Sequence, residues 1–304
     1  MASVLVTRIL PGGALERLQA DHEVTVWQGK LPPAPAELRA AVGDVEGLLC
    51  LLTDRVDRDL LEAAPRLRAI ANYAVGTDNI DLALTAERGI PVGVTPDVLT
   101  EATADLAFAL LLAAGRRLFE AAADARDGRW RTWEPAGWLG ADVHGAALGI
   151  VGYGRIGRAL ARRAEGFGMT IRSTADTPLV ELLAASDFVS LHCPLTPATR
   201  HLIDARALRR MRPNAILVNT ARGGVVDQAA LNDALHRGVI AGAAIDVTDP
   251  EPPPPGDAVY SAPNLIVTPH IGSATRTARA RMTELSVENL LAGLAGRPMP
   301  HPAS

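Results

Sequence analysis

Two cysteines, Cys50 and Cys193, are all that the 304 residues contain, and neither stands in a CxxC or other metal-like spacing. A disulfide scaffold and a structural metal site are therefore not expected, and both thiols read as small buried hydrophobes. Charge of one sign is also lacking: the formal net charge is -4, with no block of like charges. A general nucleic-acid or membrane-surface binder needs a basic field, so neither partner is expected. Long hydrophobic runs are missing too. The most apolar stretch, ADLAFALLLAAGRRL, carries Asp105 and ends in two arginines, and the opening MASVLVTRIL is too quickly interrupted for a signal peptide. A soluble cytoplasmic protein follows as the expectation, its partner a small molecule or another copy of itself.

What is present is globular: 48% hydrophobic and 21% charged residues, in a chain long enough for two domains with cores of their own. From the start, short β-rich runs (SVLVT, EVTVW, GLLCLL, RAIANY, PVGVT) alternate with helical ones (GGALERLQA, PAELRAAV, RDLLEAA, DLALTAERG). Near-continuous apolar strands alternating with helices predict a parallel sheet covered on both faces. A single long helix, TEATADLAFALLLAAGRRLFEAA, follows, and its apolar face is wider than one core requires, so it reads as an interface helix. The arm after it gathers Trp130, Trp133 and Trp138, which suits a subunit contact, a substrate lid or a local satellite core. A second alternating series runs from AALGIV to LIVTPH and predicts a second parallel sheet. The fold class is α/β, two doubly wound parallel-sheet domains of Rossmann or flavodoxin-like type, with ligand binding expected in the cleft between them.

LGIVGYGRIGRALA places Gly152, Gly154 and Gly157 as GxGxxG, directly after an apolar strand and opening a helix. In that context the first glycine permits a tight turn, the second lets backbone approach a pyrophosphate, and the third lets helix and strand pack closely, with helix N-H groups facing the anion. Dinucleotide binding is the reading. At the end of the next strand an acid usually takes the adenosine ribose hydroxyls. Here Ala175 falls at that place, Asp176 is one residue on, and Ser173 and Thr174 offer hydroxyls. NADPH and NADH both remain, and the missing acid favours NADPH.

Ligands of wound sheets bind beyond the carboxyl ends of the strands. Standing there are Thr53, Val75, Gly76, Arg222, Asp246 and His270. Arg222 precedes Gly223 and Gly224, which suits backbone close to a ligand. In DVTDPEPPPP, Glu251 lies between Pro250 and Pro252, a stretch that can be neither helix nor inner strand. A stiff surface connection with an incidental acid is the plain reading of those ten residues. A carboxylate fixing the tautomer of His270 and favouring the imidazolium, hence a proton donor, is the functional one.

GYGRIG, NTARGGVVDQAAL, AAIDVTDPEPPPP and TPHIGSATRTARARMTELSVENLLAGLAGRPMP resemble the D-isomer-specific 2-hydroxyacid dehydrogenases. The last two, with PDVLTEATADLAFALLLAAGRRL, are most similar to the glyoxylate/hydroxypyruvate reductases of that family. The resemblance covers nearly the whole chain. It implies a substrate-binding domain of residues 1–98 and 281–304, a dinucleotide-binding domain of residues 99–280 with the dimerisation helix and arm, and a homodimer. It implies NAD(P)H-dependent reduction of a small 2-oxo acid, with Arg222 as substrate clamp, His270 as acid/base and Glu251 as its partner. Val75 and Gly76 match the loop that takes the substrate carboxylate. Thr103, Arg155, Ile156, Cys193, Pro194, Thr199, Thr220, Ala221, Asp246 and Gly272 match cofactor-contacting positions, Asp246 towards the nicotinamide. Trp138 resembles a tryptophan lent to the neighbouring subunit's site, where it favours a small substrate. One departure stands out: relatives carry a longer insertion before LVELLAAS. Reductases of larger 2-keto acids, including sugar acids, and a dinucleotide-sensing binding module are the alternatives.

Overall fold

The computed structural model describes residues 1–303. The chain divides into two compact units, Met1–Leu99 together with the stretch from Ala274 onward, and Thr100–Ser273. Ser304, at the end of the expected substrate-binding domain, lies outside the described residues.

The first unit holds β1 (Ser3–Val6), β2 (Glu23–Val26), β3 (Gly47–Cys50), β4 (Ala69–Asn72) and β5 (Val92–Gly93), all parallel in the order β2-β1-β3-β4-β5. Alternate side chains go to opposite faces. Leu48, Cys50 and Ile70 join one core with Leu38, Val42, Leu60 and Leu61. Leu49, Ala69 and Ala71 join the other with Leu18, Met282, Val287 and Leu290. The helix Arg276–Leu294 thus closes a face of the first unit although it comes last in the chain. The chain reverses its winding between β1 and β3, so the crevice of this sheet lies at their carboxyl ends, where Thr7 and Thr53 stand.

The second unit adds β6 (Ala147–Val151), β7 (Thr170–Ser173), β8 (Phe188–Leu191), β9 (Ile216–Asn219), β10 (Gly242–Ile245) and β11 (Leu265–Val267), in the parallel order β11-β10-β9-β8-β6-β7. The fuller dinucleotide-binding order has a third strand outside the second. Here residues 174–178 alone join β7 to the helix Leu179–Ala185, too short a link for another strand and its crossover, so β7 is the edge. The winding reverses between β6 and β8.

The single helix expected over residues 100–122 is two, Thr100–Gly115 and Leu118–Arg126. Arg117 between them is left-handed at φ 51°. The cause lies outside the segment: the Gly115 carbonyl accepts from Ala141 N at 2.8 Å, and Gly140 packs against it so closely that a Cβ there would lie 2.3 Å away. The breadth of the apolar face is also accounted for within this unit. Ala107, Phe108, Leu110 and Leu111 are buried with Ile150, Val218 and Ala244 of the sheet and with Leu160 and Ala161 of the helix Arg155–Glu165. Burying one such leucine is worth about 1.5 to 3 kcal/mol. No helix among the described residues is long and apolar enough to cross a membrane.

Candidate active site

The loop after β6 makes the first part of the site. Gly152 has φ 92°, and a Cβ there would lie 2.5 Å from Cys193 N, so the turn passes flush against the Cys193 and Pro194 segment. Gly157 faces the Gly152 carbonyl, 2.4 Å from where its Cβ would be, which brings helix and strand together. Around Gly154 there is open space, and no side chain caps the amino end of the helix Arg155–Glu165 that carries Arg155 and Ile156. Thr199 folds the neighbouring turn, its hydroxyl donating to Pro194 O at 2.6 Å and accepting from Thr196 N at 2.8 Å. Burial holds the Cys193 thiol above its ordinary range, so it stays a neutral wall of the loop.

At the end of β7 the hydroxyls are already engaged. Thr174 Oγ1 accepts from Gly152 N at 3.0 Å, tying the two loops together. Asp176 Oδ1 accepts from Ser173 Oγ at 3.3 Å and from Thr177 Oγ1 at 3.1 Å. A carboxylate therefore sits beside Ala175.

The second part forms at the ends of β9, β10 and β11. Asn219 orients the turn after β9, accepting from Ala221 N at 3.0 Å and donating to Arg222 O at 2.9 Å. Arg222 is half-buried, and its guanidinium donates to Ala221 O at 2.8 Å. Gly223 then meets the backbone of Thr248, and Thr248 N donates to Glu251 Oε2 at 3.4 Å. Glu251 Oε1 lies 2.5 Å from His270 Nδ1. The loops bearing Arg222, Glu251 and His270 are thus one packed assembly within the second unit. Both His270 and Glu251 side chains keep part of their surface in solvent, at 25% and 33%.

Asp246, 1% exposed, uses its carboxylate inside the same assembly. Oδ1 accepts from Thr268 Oγ1 at 2.6 Å and Ile271 N at 2.8 Å, and Oδ2 from Gly272 N at 2.8 Å. All three donors flank His270, whose backbone is left-handed at φ 52°. A position expected to face the nicotinamide is thereby seen holding the histidine loop. Thr103 and Gly272 adjoin it: a Cβ on Gly272 would lie 3.3 Å from Asp246 Oδ2 and 3.4 Å from Thr103 Oγ1. No spacing in the sequence points to Asn219, Thr248 or Thr268: the first and last act through side-chain hydrogen bonds and Thr248 through its backbone.

Thr53 and Val75 of the first unit are exposed after β3 and β4, with Gly76 half-buried beside Val75. Trp138 stacks on Arg117 of its own arm, 4.8 Å from guanidinium carbon to ring centroid.

A dinucleotide fits what is present. The open Gly154 turn and the uncapped helix end offer N-H groups to a pyrophosphate. The buried Thr220 hydroxyl has no hydrogen-bond partner of its own. Gly152, Gly154, Arg155, Ile156 and Gly157 would hold the phosphates, with Thr103, Cys193, Pro194 and Thr220 along the remainder.

The D-isomer specific 2-hydroxyacid dehydrogenase, NAD binding domain family matches residues 108–272. A glyoxylate reductase of Korarchaeum cryptofilum is 48% identical, the match covering 98% of this chain and 94% of that protein. One from Thermococcus litoralis is 46% identical over 98% of this chain and 95% of its own. The TT0316 protein of Thermus thermophilus superposes with a TM-score of 0.93 at 52% identity, covering 99% of this chain and 100% of that one. An NADPH-dependent glyoxylate/hydroxypyruvate reductase of Sinorhizobium meliloti, solved with NADP and malonate, gives 0.86 at 35% identity over 100% and 97%.

Proposed function

This chain belongs to the D-isomer specific 2-hydroxyacid dehydrogenase family and is an NAD(P)-dependent enzyme of that kind, and on that premise we propose that it reduces glyoxylate or hydroxypyruvate to the 2-hydroxy acid, the D isomer where the product is chiral. The relatives named glyoxylate reductase support the substrate class. The observation that carries the reading is the contact between Glu251 and His270.

Reduction of a carbonyl builds negative charge on its oxygen, so the protein must present a proton and a cation there. The dinucleotide, when bound, supplies the hydride. Glu251 accepts from Nδ1, which fixes the orientation of the ring, and Nε2 is left to donate a proton to the oxygen. Arg222 supplies a permanent charge and paired donors as the substrate clamp. Val75 and Gly76 give backbone N-H groups to the substrate carboxylate, with Thr53 beside them.

The preferred donor in this proposal is NADH. Ala175 offers no carboxylate, which alone admits NADPH, but Asp176 next to it carries one, within reach of Ser173 and Thr177. A 2'-phosphate brought to this loop meets like charge, whereas ribose hydroxyls can donate to it.

The assembly proposed is a homodimer built on the arm. Leu118, Phe119, Trp130, Trp133 and Leu139 are exposed, a concentration of large apolar side chains unusual for a monomer surface. Beside them opens a cavity of about 800 Å³, lined by Phe119, Leu139, Ile216, Pro263 and Ile266 at the amino ends of the strands, away from the chemistry. Trp138 extends from the same arm and is proposed to reach the partner's substrate pocket. Size-exclusion chromatography with light scattering tests this; a monomer at micromolar concentration removes it.

The decisive experiment is NADH oxidation on addition of glyoxylate or hydroxypyruvate, with His270→Gln in parallel. The parent should turn over, and the variant should lose roughly 10² to 10⁴ in kcat. A variant of near-parental kcat removes His270 from proton transfer.

A further inference from the structure

The carboxyl edge of the first unit's sheet is laced by two side-chain amides that the chemistry above does not use. Asn72, the last residue of β4, is fully buried. Its Nδ2 donates to Gly76 O at 2.9 Å and to Asn79 Oδ1 at 3.1 Å. Asn79 Nδ2 donates to Leu51 O at 3.1 Å and Asp54 O at 3.0 Å, and lies 3.3 Å from Asn72 Oδ1. The carbonyls of Leu51, Asp54 and Gly76 can only accept, so both amide nitrogens are forced to face them. The amides then meet each other head to tail. The turn after β3, which carries Thr53, and the turn after β4, which carries Val75 and Gly76, are thereby joined through one hydrogen-bonded pair.

Other groups reinforce the same edge. Asp54, 2% exposed, accepts from Leu51 N at 2.8 Å and from the Thr7 hydroxyl after β1. Val56 N donates to Asn79 O at 2.8 Å. Thr95 N donates to Ala74 O at 2.9 Å and holds the peptide that carries the Val75 N-H, while the Asn72 bond to Gly76 O holds the following part of the same short turn, which has no regular structure of its own.

We infer that Asn72 and Asn79 are positioning residues for the substrate carboxylate: they fix the Gly76 carbonyl, and with it the course of the turn that carries the Val75 and Gly76 N-H groups, relative to the Thr53 turn. This rests on the proposal that Val75 and Gly76 receive that carboxylate. Donors aimed in advance at an anion lose little on binding it, and a misplacement of about 1 Å can cost on the order of 10²-fold. Asn79 reaches both turns from a half-buried position, so it can be truncated with less harm to the core than Asn72.

The test compares glyoxylate with its neutral methyl ester, using the full chain and its Asn79→Ala, Asn79→Ser and Asn72→Ala variants. NADH affinity is followed by fluorescence titration and folding by thermal melting. The asparagine variants should raise KM for glyoxylate by about 10-fold or more while kcat stays within about 3-fold. Turnover of methyl glyoxylate and the Kd for NADH should hold, so the preference for the charged substrate shrinks. A general weakening of the fold would lower both substrates together, and that result, or an unchanged preference in folded Asn79 variants, overturns the inference alone. A parent enzyme indifferent to the charge overturns the carboxylate reading itself and the inference with it.

Discussion

A methyl group added to Gly223 would lie 2.0 Å from the carbonyl of Thr248, so the turn carrying Arg222 and the turn leading to Glu251 touch backbone to backbone. Neither partner can yield by rotating a side chain. Gly223→Ala should therefore separate the two loops and shift Arg222 relative to the loop that carries Glu251. The expected loss in kcat/KM is on the order of 10²-fold or more, with about 1 to 3 kcal/mol of stability. Steady-state kinetics and urea melts read the two effects, and parental kinetics in the variant would mean that the contact does not set the geometry of the clamp.

Asp246 makes a second case in which backbone is held for a neighbour's benefit. Truncation to alanine strands the buried N-H of Gly272, at about 1 to 3 kcal/mol, and frees that of Ile271, which lies nearer solvent. Asp246→Ala should cut kcat by about 10²-fold and speed hydrogen exchange at those two amides. A variant whose exchange is unchanged while its NADH affinity collapses would instead assign the carboxylate to the cofactor.

These contacts mark where the sequence stops being readable. The alternation was legible because strands such as β3, β8, β9 and β10 are buried on both faces and so are almost wholly apolar, Ser190 and Asn219 apart. The GxGxxG turn was legible because its glycine spacing follows an apolar strand and opens a helix, although the approach that Gly152 permits is to the distant Cys193. Contact between Glu251 and His270 could be inferred from rare residues at strand ends, and its catalytic meaning is what the His270→Gln kinetics decide. The break at Arg117 could not be inferred, since the cause is a hydrogen bond from Ala141, far along the chain. The role of Asp246 was hidden for a related reason: two of its three donors are backbone N-H groups, which every residue but proline possesses.

Cofactor choice gives a prediction of opposite sign at one residue. Replacing the carboxylate of Asp176 by a guanidinium turns repulsion of a 2'-phosphate into attraction. Asp176→Arg should improve the Kd for NADPH by about 10-fold or more and weaken that for NADH, since roughly 1.4 kcal/mol is a factor of ten. Titration of intrinsic fluorescence with each dinucleotide reads this directly. Unaltered selectivity would place the adenosine ribose away from the loop after β7.

His192 supplies a pH dependence of stability that is separate from catalysis. Its Nε2 pairs with Ser190 Oγ at 2.8 Å, Nδ1 is buried without a partner, and burial lowers its pKa from 6.5 to about 4. As pH falls through 6.5 the unfolded chain takes up a proton at this residue, while the folded chain does not until about 4. The unfolded state binds more protons across that window, so stability contributed here is intact above 6.5 and declines as pH drops towards 4. His192→Asn keeps a polar partner for Ser190 and has nothing to titrate. Its denaturant midpoint should change less than the parent's between pH 7 and pH 4.5, and equal slopes for the two proteins would show that His192 takes up its proton without unfolding.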